Sequence, residues 1–364
     1  MSFGKRIKDL RRKHNMTQEQ LGEILSISPQ AISRWETDMA MPDISLIPPL
    51  CNLFNITSDE LLGIDLTRRQ EAVWAICEKA DKYASRGYLE KAREVLEAGL
   101  QKYPDHCDII YHLMYVSYWQ KDVTGDLKYL EEAIKWGEKI LEQSTVDHQR
   151  HSAIQVLCFS YRDVGRVEEA VKMAKSMPYM SISREMLLEN VYAGDQAYAA
   201  KQSAALNLLQ FLSNSLFYMQ TQLDGGEMAY TPEEEAALRD KRIAFLHLFF
   251  ENGDFGFYHT HLAETHREQA RYYAQKGDSE MALQHLSLAA EHAIQFITSI
   301  NEDCTSLVFK GMHRGNWCTS TSENEAAIML KKMKHKAFIL VQETEEFFKI
   351  KEKLMKYAGN WQTE

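Results

Sequence analysis

The segment 28–37, SPQAISRWET, carries polar side chains that could bind planar hydrogen-bonding partners. On a helix that starts at Ser28, Ile32 and Trp35 turn toward a core. This leaves four residues facing outward: Gln30, Ser33, Arg34 and Thr37. A glutamine amide can bond the N6/N7 edge of adenine, and an arginine guanidinium can bond the O6/N7 edge of guanine. Gln30 and Arg34 therefore have the chemistry needed to read bases, and Ser33 lies beside them.

Ala31 lies between Gln30 and Arg34, and it has two possible interpretations. Its methyl group could contact the methyl of a thymine, or it could pack inward. The helix that carries these residues must itself be held in place. Apolar residues at helical spacing predict two further short helices before it, with Ile7 and Leu10 in the first and Leu21 and Leu25 in the second. Helices this short must pack on one another to be stable.

Capping residues set the bounds of these helices. Thr17 and Ser28 are good N-caps for the second and third helices, and Pro29 fits the first helical position because its missing N–H costs nothing there. A fourth pattern runs over about 45–54 with its two prolines in the first turn, and a fifth starts at Thr57 and ends at Gly63. Five helices are thus predicted to close a small domain near residue 64.

The 364 residues are 45% apolar and 26% charged with only seven prolines, a profile that favours an all-α globular protein. The start MSFGKRIKDL lacks an apolar leader segment, and no apolar run is long enough to cross a bilayer. We therefore expect a cytoplasmic protein that makes no membrane contact. The six scattered cysteines form no C-x-x-C pair, so they are interpreted as small buried apolar residues.

The charge of the chain is distributed unevenly. The net charge is −10, but residues 1–66 contribute only −2 of it and the remainder −8. Six of the seven basic residues in 1–66 fall within the first fourteen positions, beside one acid. A local positive edge can serve a phosphate backbone even in an acidic protein. Lys8, Arg12 and Lys13 are candidates for such contacts, and a solvated helix face is the alternative interpretation.

From about residue 70 the sequence repeats itself with the spacing of a helix–turn–helix unit of 34 residues. Small, aromatic and breaker positions recur in three places: Ala80, Tyr83, Gly87, Ala92, Leu96, Gly99 and Pro104; Cys158, Tyr161, Gly165, Ala170 and Ala174; Ala270, Tyr273, Gly277, Ala282, Leu286 and Ala289. A degenerate unit is predicted over about 107–143 and an irregular helical region over 184–262. Residues 300–322 are expected to form a loop, and 323–357 a terminal helical cap.

The run from Ile7 to Leu62, through TQEQLGEIL, SPQAISRWE and PDISLIPPLCNLFNITSDELLG, resembles the phage-repressor (XRE) class of helix-turn-helix domains. The region after residue 70 resembles tetratricopeptide repeats. The combination is similar to the RRNPP group of peptide-responsive regulators. The resemblance implies a five-helix, lambda-repressor-like DNA-binding domain over 1–66 and a tetratricopeptide-like sensor and dimerisation domain over 67–364.

The resemblance also implies roles for individual residues. The third helix would lie in the major groove, and Thr17, Gln18, Ser28 and Thr37 would lie at phosphates. Arg11 and Glu36 occupy the positions of an ion pair that braces the first helix against the third. Two residues depart from the pattern, because Ser26 and Asp38 stand where glycine is usual. Short polar residues tolerate the left-handed region, so we expect an adjusted turn and an intact fold.

The helical body is larger than dimerisation requires, and an array of this kind suits an extended partner segment. In the stretch 205–221, four polar residues on one face could bond a peptide backbone, with leucines 208, 209, 212 and 216 on the opposite face: Asn207, Gln210, Asn214 and Tyr218. A solvated helix face would look the same. The aromatic run 111–119 could line a groove or could be plain packing between helices.

Nothing in the sequence predicts catalysis or a cofactor. The P-loop, G-x-G-x-x-G, H-E-x-x-H and G-x-S-x-G motifs are missing. Cys304, His313 and Cys318 lack zinc spacing and a clear fourth ligand, so no metal site is predicted. Two hypotheses remain. One is a dimeric transcription regulator that reads DNA and senses a peptide or protein partner, and the other is a tetratricopeptide scaffold whose helix-turn-helix has no regulatory role.

Overall fold

A computed structural model describes residues 2–63, 66–299, 302–313 and 317–361, with the backbone alone at 66 and 67. Within these ranges the secondary structure is helical and contains no β-strand. The all-α prediction is confirmed. The chain forms two compact units, Met1–Glu78 and Lys79–Glu364, and the boundary falls inside helix α6 (Leu66–Ala84). No helix in the described ranges is long and apolar enough to span a membrane.

The N-terminal unit begins with the five predicted helices: α1 (Phe3–Lys13), α2 (Gln18–Leu25), α3 (Pro29–Glu36), α4 (Ile47–Phe54) and α5 (Ser58–Leu62). A 3-10 turn at Ile44–Leu46 leads into α4. The apolar faces of the five helices meet in one core: Phe3, Ile7, Leu21, Leu25, Ile32, Trp35, Leu50, Phe54 and Leu61. The predicted inward face of the third helix is confirmed, since Ile32 is fully buried and Trp35 nearly so.

The helical body continues after α6 with twelve helices in the described ranges: α7 (Leu89–Lys102), α8 (Cys107–Thr124), α9 (Leu127–Gln143), α10 (Asp147–Asp163), α11 (Val167–Ala174), α12 (Arg184–Val191), α13 (Gly194–Phe217), α14 (Pro232–Phe249), α15 (Tyr258–Gln275), α16 (Ser279–Ser299), α17 (Glu325–Lys332) and α18 (Glu345–Met355). Neighbouring helices pack in pairs, including the degenerate unit α8–α9. The α17–α18 segment packs on α16, as predicted for a terminal cap.

The three predicted repeats are helix pairs in the structure. Gly165 and Gly277 have the left-handed backbone at φ 81° and 83° in the turns of α10–α11 and α15–α16. The small residues of the repeats are mostly buried between the paired helices, including Ala80, Ala92, Ala170, Ala270 and Ala282. Ala174 is the exception. It is exposed because α11 ends there, so the prediction that it packs within its repeat is wrong.

Gly87 explains how the loop 317–322 is placed. Gly87 has φ 75°, and a Cβ atom there would lie 2.0 Å from the carbonyl carbon of Thr321. The loop runs beside the turn of the first repeat, where the Thr319 N–H donates to the Ser85 carbonyl at 3.1 Å. The Arg86 guanidinium donates to the Trp317 carbonyl at 3.0 Å. The segment predicted as a loop is therefore irregular in its described parts and also joins the first repeat to the end of the body.

The leucine face of α13 is only partly buried, since Leu209 is buried whereas Leu208 and Leu212 are exposed. The helix packs on both α12 and α14, so its buried strip is narrower than the helical period suggested. The prediction that the cysteines are buried is wrong for most of them. Cys77 and Cys304 are buried, Cys318 is exposed on the loop described above, and the other three are half-buried: Cys51, Cys107 and Cys158.

Candidate nucleic-acid interface

The corner between α2 and α3 is built by local hydrogen bonds. The Thr17 hydroxyl accepts from the Gln20 N–H at 3.2 Å, and the Gln20 side chain accepts from the Thr17 N–H at 2.8 Å. The Ser28 hydroxyl accepts from the Ala31 N–H at 3.3 Å. Both predicted N-caps are confirmed. Ser26 adopts the left-handed region at φ 57° and ψ 39°, so the corner forms without the usual glycine.

The outward face of α3 is accessible as the sequence predicted. Gln30 and Arg34 are exposed, while Ser33 and Ala31 are half-buried. Thr37 is also exposed, and its hydroxyl donates to the Ser33 carbonyl at 2.8 Å. The face therefore presents one amide and one guanidinium, separated by one helical turn, on a helix whose other side is fixed in the core. The two interpretations of Ala31 stay open.

The phosphate candidates differ in what their side chains already bind. Thr17 and Ser28 use an acceptor lone pair for capping, which leaves the O–H proton available as a donor. The Gln18 amide instead donates to the Glu36 carboxylate at 2.9 Å. Its amide nitrogen is thus bound within the domain, and the Gln18 prediction depends on its place in the first turn of α2, where backbone N–H groups point outward.

The positive edge of α1 is narrower than the sequence suggested. Arg11 is held in an ion pair, and the Arg6 guanidinium donates to the Glu60 carbonyl at 2.9 Å, joining α1 to α5. Arg12 and Lys13 are exposed at the end of α1, and Lys8 is half-buried. These three side chains are the ones that sequence analysis proposed for phosphate contacts.

Arg11 and Glu36 form the ion pair that the family resemblance implied. The Arg11 guanidinium donates to both Glu36 carboxylate oxygens, at 2.5 and 3.0 Å, and to the Met16 carbonyl at 2.7 Å. Burial alone would raise the pKa of Glu36, but hydrogen bonds from Arg11 and Gln18 outweigh it and lower the pKa. One carboxylate thus joins α1, α2 and α3, which fixes the angle at which α3 is presented.

Asp38, the second departure from the family pattern, has a role that sequence analysis missed. It adopts the left-handed region at φ 59°, and its carboxylate accepts from the Gly4 N–H at 2.7 Å. Hydrogen bonds from Ser2 and from Gly4 lower the Asp38 pKa. A Cβ atom at Gly4 would lie 2.3 Å from the Trp35 carbonyl oxygen, so this close approach requires a glycine at the start of α1. A carboxylate two residues after the end of α3 therefore caps α1.

The structure separates the four ligand candidates of α13. Asn207 lines a cavity of about 550 Å³ with Met180, Met186, Leu208 and Phe211. Tyr218 lines a second cavity of about 550 Å³ between α15, α16 and α17, named here the α15–α17 cavity. Gln210 is exposed and Asn214 is half-buried. These cavities therefore do not bring the four side chains together in one groove.

The aromatic run 111–119 has both of the uses that sequence analysis left open. Leu113, Met114 and Val116 are buried in the packing of α8. Tyr111, Tyr115 and Trp119 line a cavity of about 370 Å³, together with Asp81, Ala84, Ser85, His112, Val116 and Cys318. The run is thus part core and part cavity wall.

Two helices of the body share an array of four histidines, of which His259, His266 and His292 are buried and His285 is half-buried. His259 and His266 lie seven residues apart on α15, and His285 and His292 lie seven apart on α16. Nδ1 of His259 lies 2.9 Å from Nδ1 of His292, and the same distance separates Nδ1 of His266 and His285. Burial lowers the pKa of His266 to about 3 and that of His292 to about 4. The matching spacings on paired helices were a signal that sequence analysis did not use.

Cys304, His313 and Cys318 each have different neighbours. The Cys304 thiol donates to Asp254 at 3.2 Å, and His313 lies 2.8 Å from Asp303. Cys318 lies on the wall of the aromatic cavity. In the described ranges no group of three or more His, Cys, Asp or Glu side chains could hold a metal ion.

Residues 7–61 match the family model described as "Helix-turn-helix". The N-terminal unit therefore contains a helix-turn-helix domain of the XRE type, as the sequence predicted. Over 65 residues the chain is 42% identical to the HTH-type transcriptional regulator ImmR of Bacillus subtilis (strain 168), a match that covers 18% of this chain and 51% of ImmR. It is 40% identical over 63 residues to the HTH-type transcriptional activator BcrR of Enterococcus faecalis, covering 17% of this chain and 31% of BcrR.

Two solved structures resemble the chain weakly. The complex of Bacillus thuringiensis PlcR with the peptide PapR7 and DNA has a TM-score of 0.31 at 14% identity, covering 83% of this chain and 99% of PlcR. The apo form of the competence regulator ComR from Streptococcus vestibularis has a TM-score of 0.28 at 13% identity, covering 80% of this chain and 91% of ComR. These scores are too low to support conclusions about the body, whose description rests on its own helices.

Proposed function

We propose that this protein is a sequence-specific DNA-binding transcriptional regulator that reads the major groove with α3. The observation that carries the proposal is the exposed pair Gln30 and Arg34 on a helix whose opposite face is buried. Each side chain can form two hydrogen bonds with one base, which is worth roughly 1–3 kcal/mol of discrimination. Ser33 and Ala31 lie on the same stretch of helix and complete the reading face.

The phosphate contacts follow from the same placement. Thr17, Gln18, Ser28 and Thr37 lie at or beside helix ends, and Lys8, Arg12 and Lys13 supply positive charge from α1. Backbone N–H groups and hydroxyls at the start of α2 suit a phosphate oxygen. These contacts would fix the position of α3 on the duplex without reading its sequence.

A salt-titrated binding assay on full-length protein tests the reading role. Arg34→Ala should lower affinity for the specific site and relax one base position, whereas Lys8→Ala and Arg12→Ala should weaken binding to every sequence and flatten the salt slope. The DNA upstream of the protein's own gene is the first probe, with a scrambled duplex of equal length as the control. If Arg34→Ala binds both duplexes as wild type does, α3 does not read bases.

Dimerisation is the second part of the proposal. One such domain reads only a few base pairs, so two copies on half-sites about one DNA turn apart are expected. Exposed apolar side chains support an interface on the body near α12 and α13, where Tyr179, Val191 and Phe211 are 81%, 75% and 61% exposed. A concentration of such residues marks an interaction surface more often than a solvated one.

The third part is that the body senses a peptide or protein partner. Three cavities of about 370 to 550 Å³ in the body support this part of the proposal, since ligand sites commonly have such volumes. Adding low-molecular-weight extract of the native cells to the binding assay tests it. A change in DNA affinity is expected, and an unchanged binding curve argues against a diffusible effector.

A tetratricopeptide scaffold without a regulatory role is the alternative. Helical arrays commonly bind other proteins, and a helix-turn-helix unit could then serve only as a tether. A genomic pull-down separates the two proposals. The regulator should recover a discrete, recurring sequence with a steep salt dependence, and the scaffold should recover none.

A further inference from the structure

The aromatic cavity, the space of about 370 Å³ beside α8, combines three aromatic rings with one carboxylate. Tyr111, Tyr115 and Trp119 follow one another at intervals of four residues on α8, and all three line this space. Residues four apart lie on the same face of a helix, so the rings form one stripe. Asp81, near the end of α6, lines the same space. The face of an aromatic ring carries negative partial charge, so rings and carboxylate together favour a cation.

The three rings are tilted against one another and remain open to the cavity. The ring centroids of Tyr111 and Tyr115 are 5.2 Å apart at an interplanar angle of 75°, and those of Tyr115 and Trp119 are 5.7 Å apart at 44°. All three side chains are half-buried. The rings therefore meet the cavity at different angles, and none of them is enclosed in the core.

No cation of the protein occupies these ring faces. Elsewhere in the body, arginines cover aromatic rings: the Arg93 guanidinium lies 5.0 Å from the centroid of the Tyr129 ring, and that of Arg166 lies 4.0 Å from the centroid of Tyr161. Within the described part of the chain, no Lys or Arg side chain lies over the rings of the aromatic cavity. Their faces are therefore available to a cation from solution.

Asp81 supplies a negative charge at the edge of the cavity. Its Oδ1 lies 2.8 Å from Nδ1 of His112, and its side chain is 58% exposed. Burial raises the pKa of the Cys318 thiol on the cavity wall, and the charge of Asp81 raises it further, against the opposing charge of Arg86. The Arg86 guanidinium itself stacks on the Trp317 ring at 4.0 Å. The described lining contains no Lys or Arg, so its charge is negative when histidine is neutral.

We propose that the aromatic cavity binds a small quaternary ammonium ion such as choline, with its methyl groups against the rings of Tyr111, Tyr115 and Trp119. Quaternary ammonium groups bind to clustered aromatic rings through the attraction of the cation to the ring faces. A primary ammonium would bring three N–H donors that need acceptors, whereas Ala84 and Val116 complete the wall with apolar surface. The volume lies near the lower end of the range for ligand cavities, which suits a small ion.

The inference goes beyond the proposed function, because it requires neither DNA reading nor a peptide partner. The α15–α17 cavity and the cavity at Asn207 stay available to such a partner. Free choline and the headgroup of a choline lipid share the quaternary ammonium but differ in the phosphate. Asp81 repels an anionic group near the ammonium, so we expect the free monocation to bind more tightly.

Isothermal titration of the full-length protein without DNA tests the site, at about pH 8 so that histidine imidazoles are neutral. The probes are tetramethylammonium, choline and phosphocholine. The matched control is 3,3-dimethylbutanol, in which carbon replaces the nitrogen of choline. Tetramethylammonium and choline should bind, and the neutral alcohol should bind at least about tenfold more weakly. Tighter binding of phosphocholine than of choline would assign the source as a headgroup.

Substitution of a ring places the binding in the cavity. Tyr111 and Tyr115 also pack on the core between α8, α9 and α10, so Trp119 is the first ring to change. Trp119→Leu should weaken choline binding roughly threefold to thirtyfold, and Trp119→Phe, which keeps a ring, should recover part of the loss. Thermal unfolding without ligand shows whether each variant is folded.

Substitution of the carboxylate tests the role of charge. Asp81→Asn should weaken choline binding about fivefold, as for two unit charges about 4 Å apart in water, and should leave the binding of 3,3-dimethylbutanol unchanged. Asp122→Asn is the matched control, because Asp122 lies on α8 outside the lining and pairs with Lys121 at 3.5 Å. Its affinity for choline should equal that of the wild type.

Alkylation of Cys318 gives a second measurement of position. Cys318 is exposed on the cavity wall, so saturating choline should slow its reaction with iodoacetamide. Cys158, which lies on α10 outside the lining, should react at an unchanged rate. Mass spectrometry of the digested protein follows the two sites separately.

Three results would each overturn the proposal. They are an absence of binding by tetramethylammonium and choline, equal affinity for choline and 3,3-dimethylbutanol, and equal affinity of Trp119→Leu and wild type for choline. Loss of specific DNA binding would remove the regulator and leave this site intact, since the titration contains no DNA.

Discussion

The N-terminal unit and the helical body bury ionisable side chains in different ways. In the N-terminal unit Arg11 and Glu36 are buried as an ion pair, whereas Arg12, Lys13 and Arg34 are exposed. In the body, His266 and His292 are buried between α15 and α16, and burial lowers the pKa of both, so they are neutral near pH 7. Burial penalises an unpaired charge, and the two units meet this cost by pairing in one case and by neutrality in the other.

Lowering the pH should produce the largest difference in stability between the two units. Burial lowers the pKa of His261 and His266 to about 3 and of His292 to about 4. The unfolded chain binds protons on these groups below about pH 6.5, and the folded body does not. Stability is therefore complete above pH 6.5 and falls as the pH drops toward 4. At pH 5 each histidine should cost about 2 kcal/mol.

Hydrogen exchange of the full-length chain at pH 7 and pH 5 measures this loss. The amides of α15 and α16 should lose protection, while those of α1–α3 should change little because Glu36 has a lowered pKa and protonates only in stronger acid. His266→Gln should reduce the pH dependence, and His313→Gln, at an exposed position, should not. Equal loss of protection in both units would contradict the comparison.

Breaking the buried pair should produce the next largest effect, in the N-terminal unit. The Glu36 side chain is 2% exposed and the Arg11 side chain 11%. Arg11→Ala leaves a buried carboxylate without its partner, which typically costs about 3–5 kcal/mol. Hydrogen exchange of α1–α3 in the full-length chain measures the change. Arg12→Ala is the control, and its effect should stay within about 0.5 kcal/mol because the side chain is exposed. Equal effects would mean that the pair does not brace the unit.

The apolar surface of the body gives a third test. If two copies meet near α12 and α13, Phe211→Glu places a charge in the interface and should raise the dimer dissociation constant roughly thirtyfold or more. Sedimentation velocity over a range of concentrations measures it. Leu248→Glu is the matched control, since Leu248 is 71% exposed on α14 of the same body. A wild-type chain that stays monomeric both free and on DNA would remove the dimer from the proposal.

The smallest expected effect is a change in the free energy of unfolding, and it should differ between Ser26 and Asp38, the two residues that stand where glycine is usual. Ser26 has a left-handed backbone, so Ser26→Gly should relieve strain and raise the free energy of unfolding by up to about 1 kcal/mol. Asp38→Gly relieves similar strain but removes the acceptor of the Gly4 N–H, so it should give no comparable gain. Urea unfolding monitored at α1–α3 by exchange distinguishes them. A larger gain from Asp38→Gly would show that its carboxylate does not cap α1.

Local rules explain why the N-terminal unit could be predicted from sequence. Thr17, Ser28 and Thr57 cap the helices that they precede, and the short polar residue at Ser26 keeps the turn. Each of these features depends on neighbours within a few residues. The capping role of Asp38 could not be predicted in this way, because its partner Gly4 lies 34 positions earlier in the chain.

The body could be predicted in most detail where it repeats. The helix pairs followed from small residues at fixed spacing, since each pair packs by the same rule. Its cavities depend on residues far apart in sequence, such as Arg267 and Lys332, and on a loop returned to the first repeat at Gly87. The exposure of Leu208 and Leu212 was missed because the helical period gives a face but not the width of its buried strip.

The central proposal is that α3 reads bases while the body senses a peptide or protein partner. Footprinting purified protein on the DNA upstream of its own gene, with and without low-molecular-weight extract of the native cells, tests it most directly. We predict two protected half-sites about one DNA turn apart, contacted through the major groove, whose occupancy changes with the extract. Uniform protection along the DNA, unaltered by Arg34→Ala and by the extract, would contradict the account.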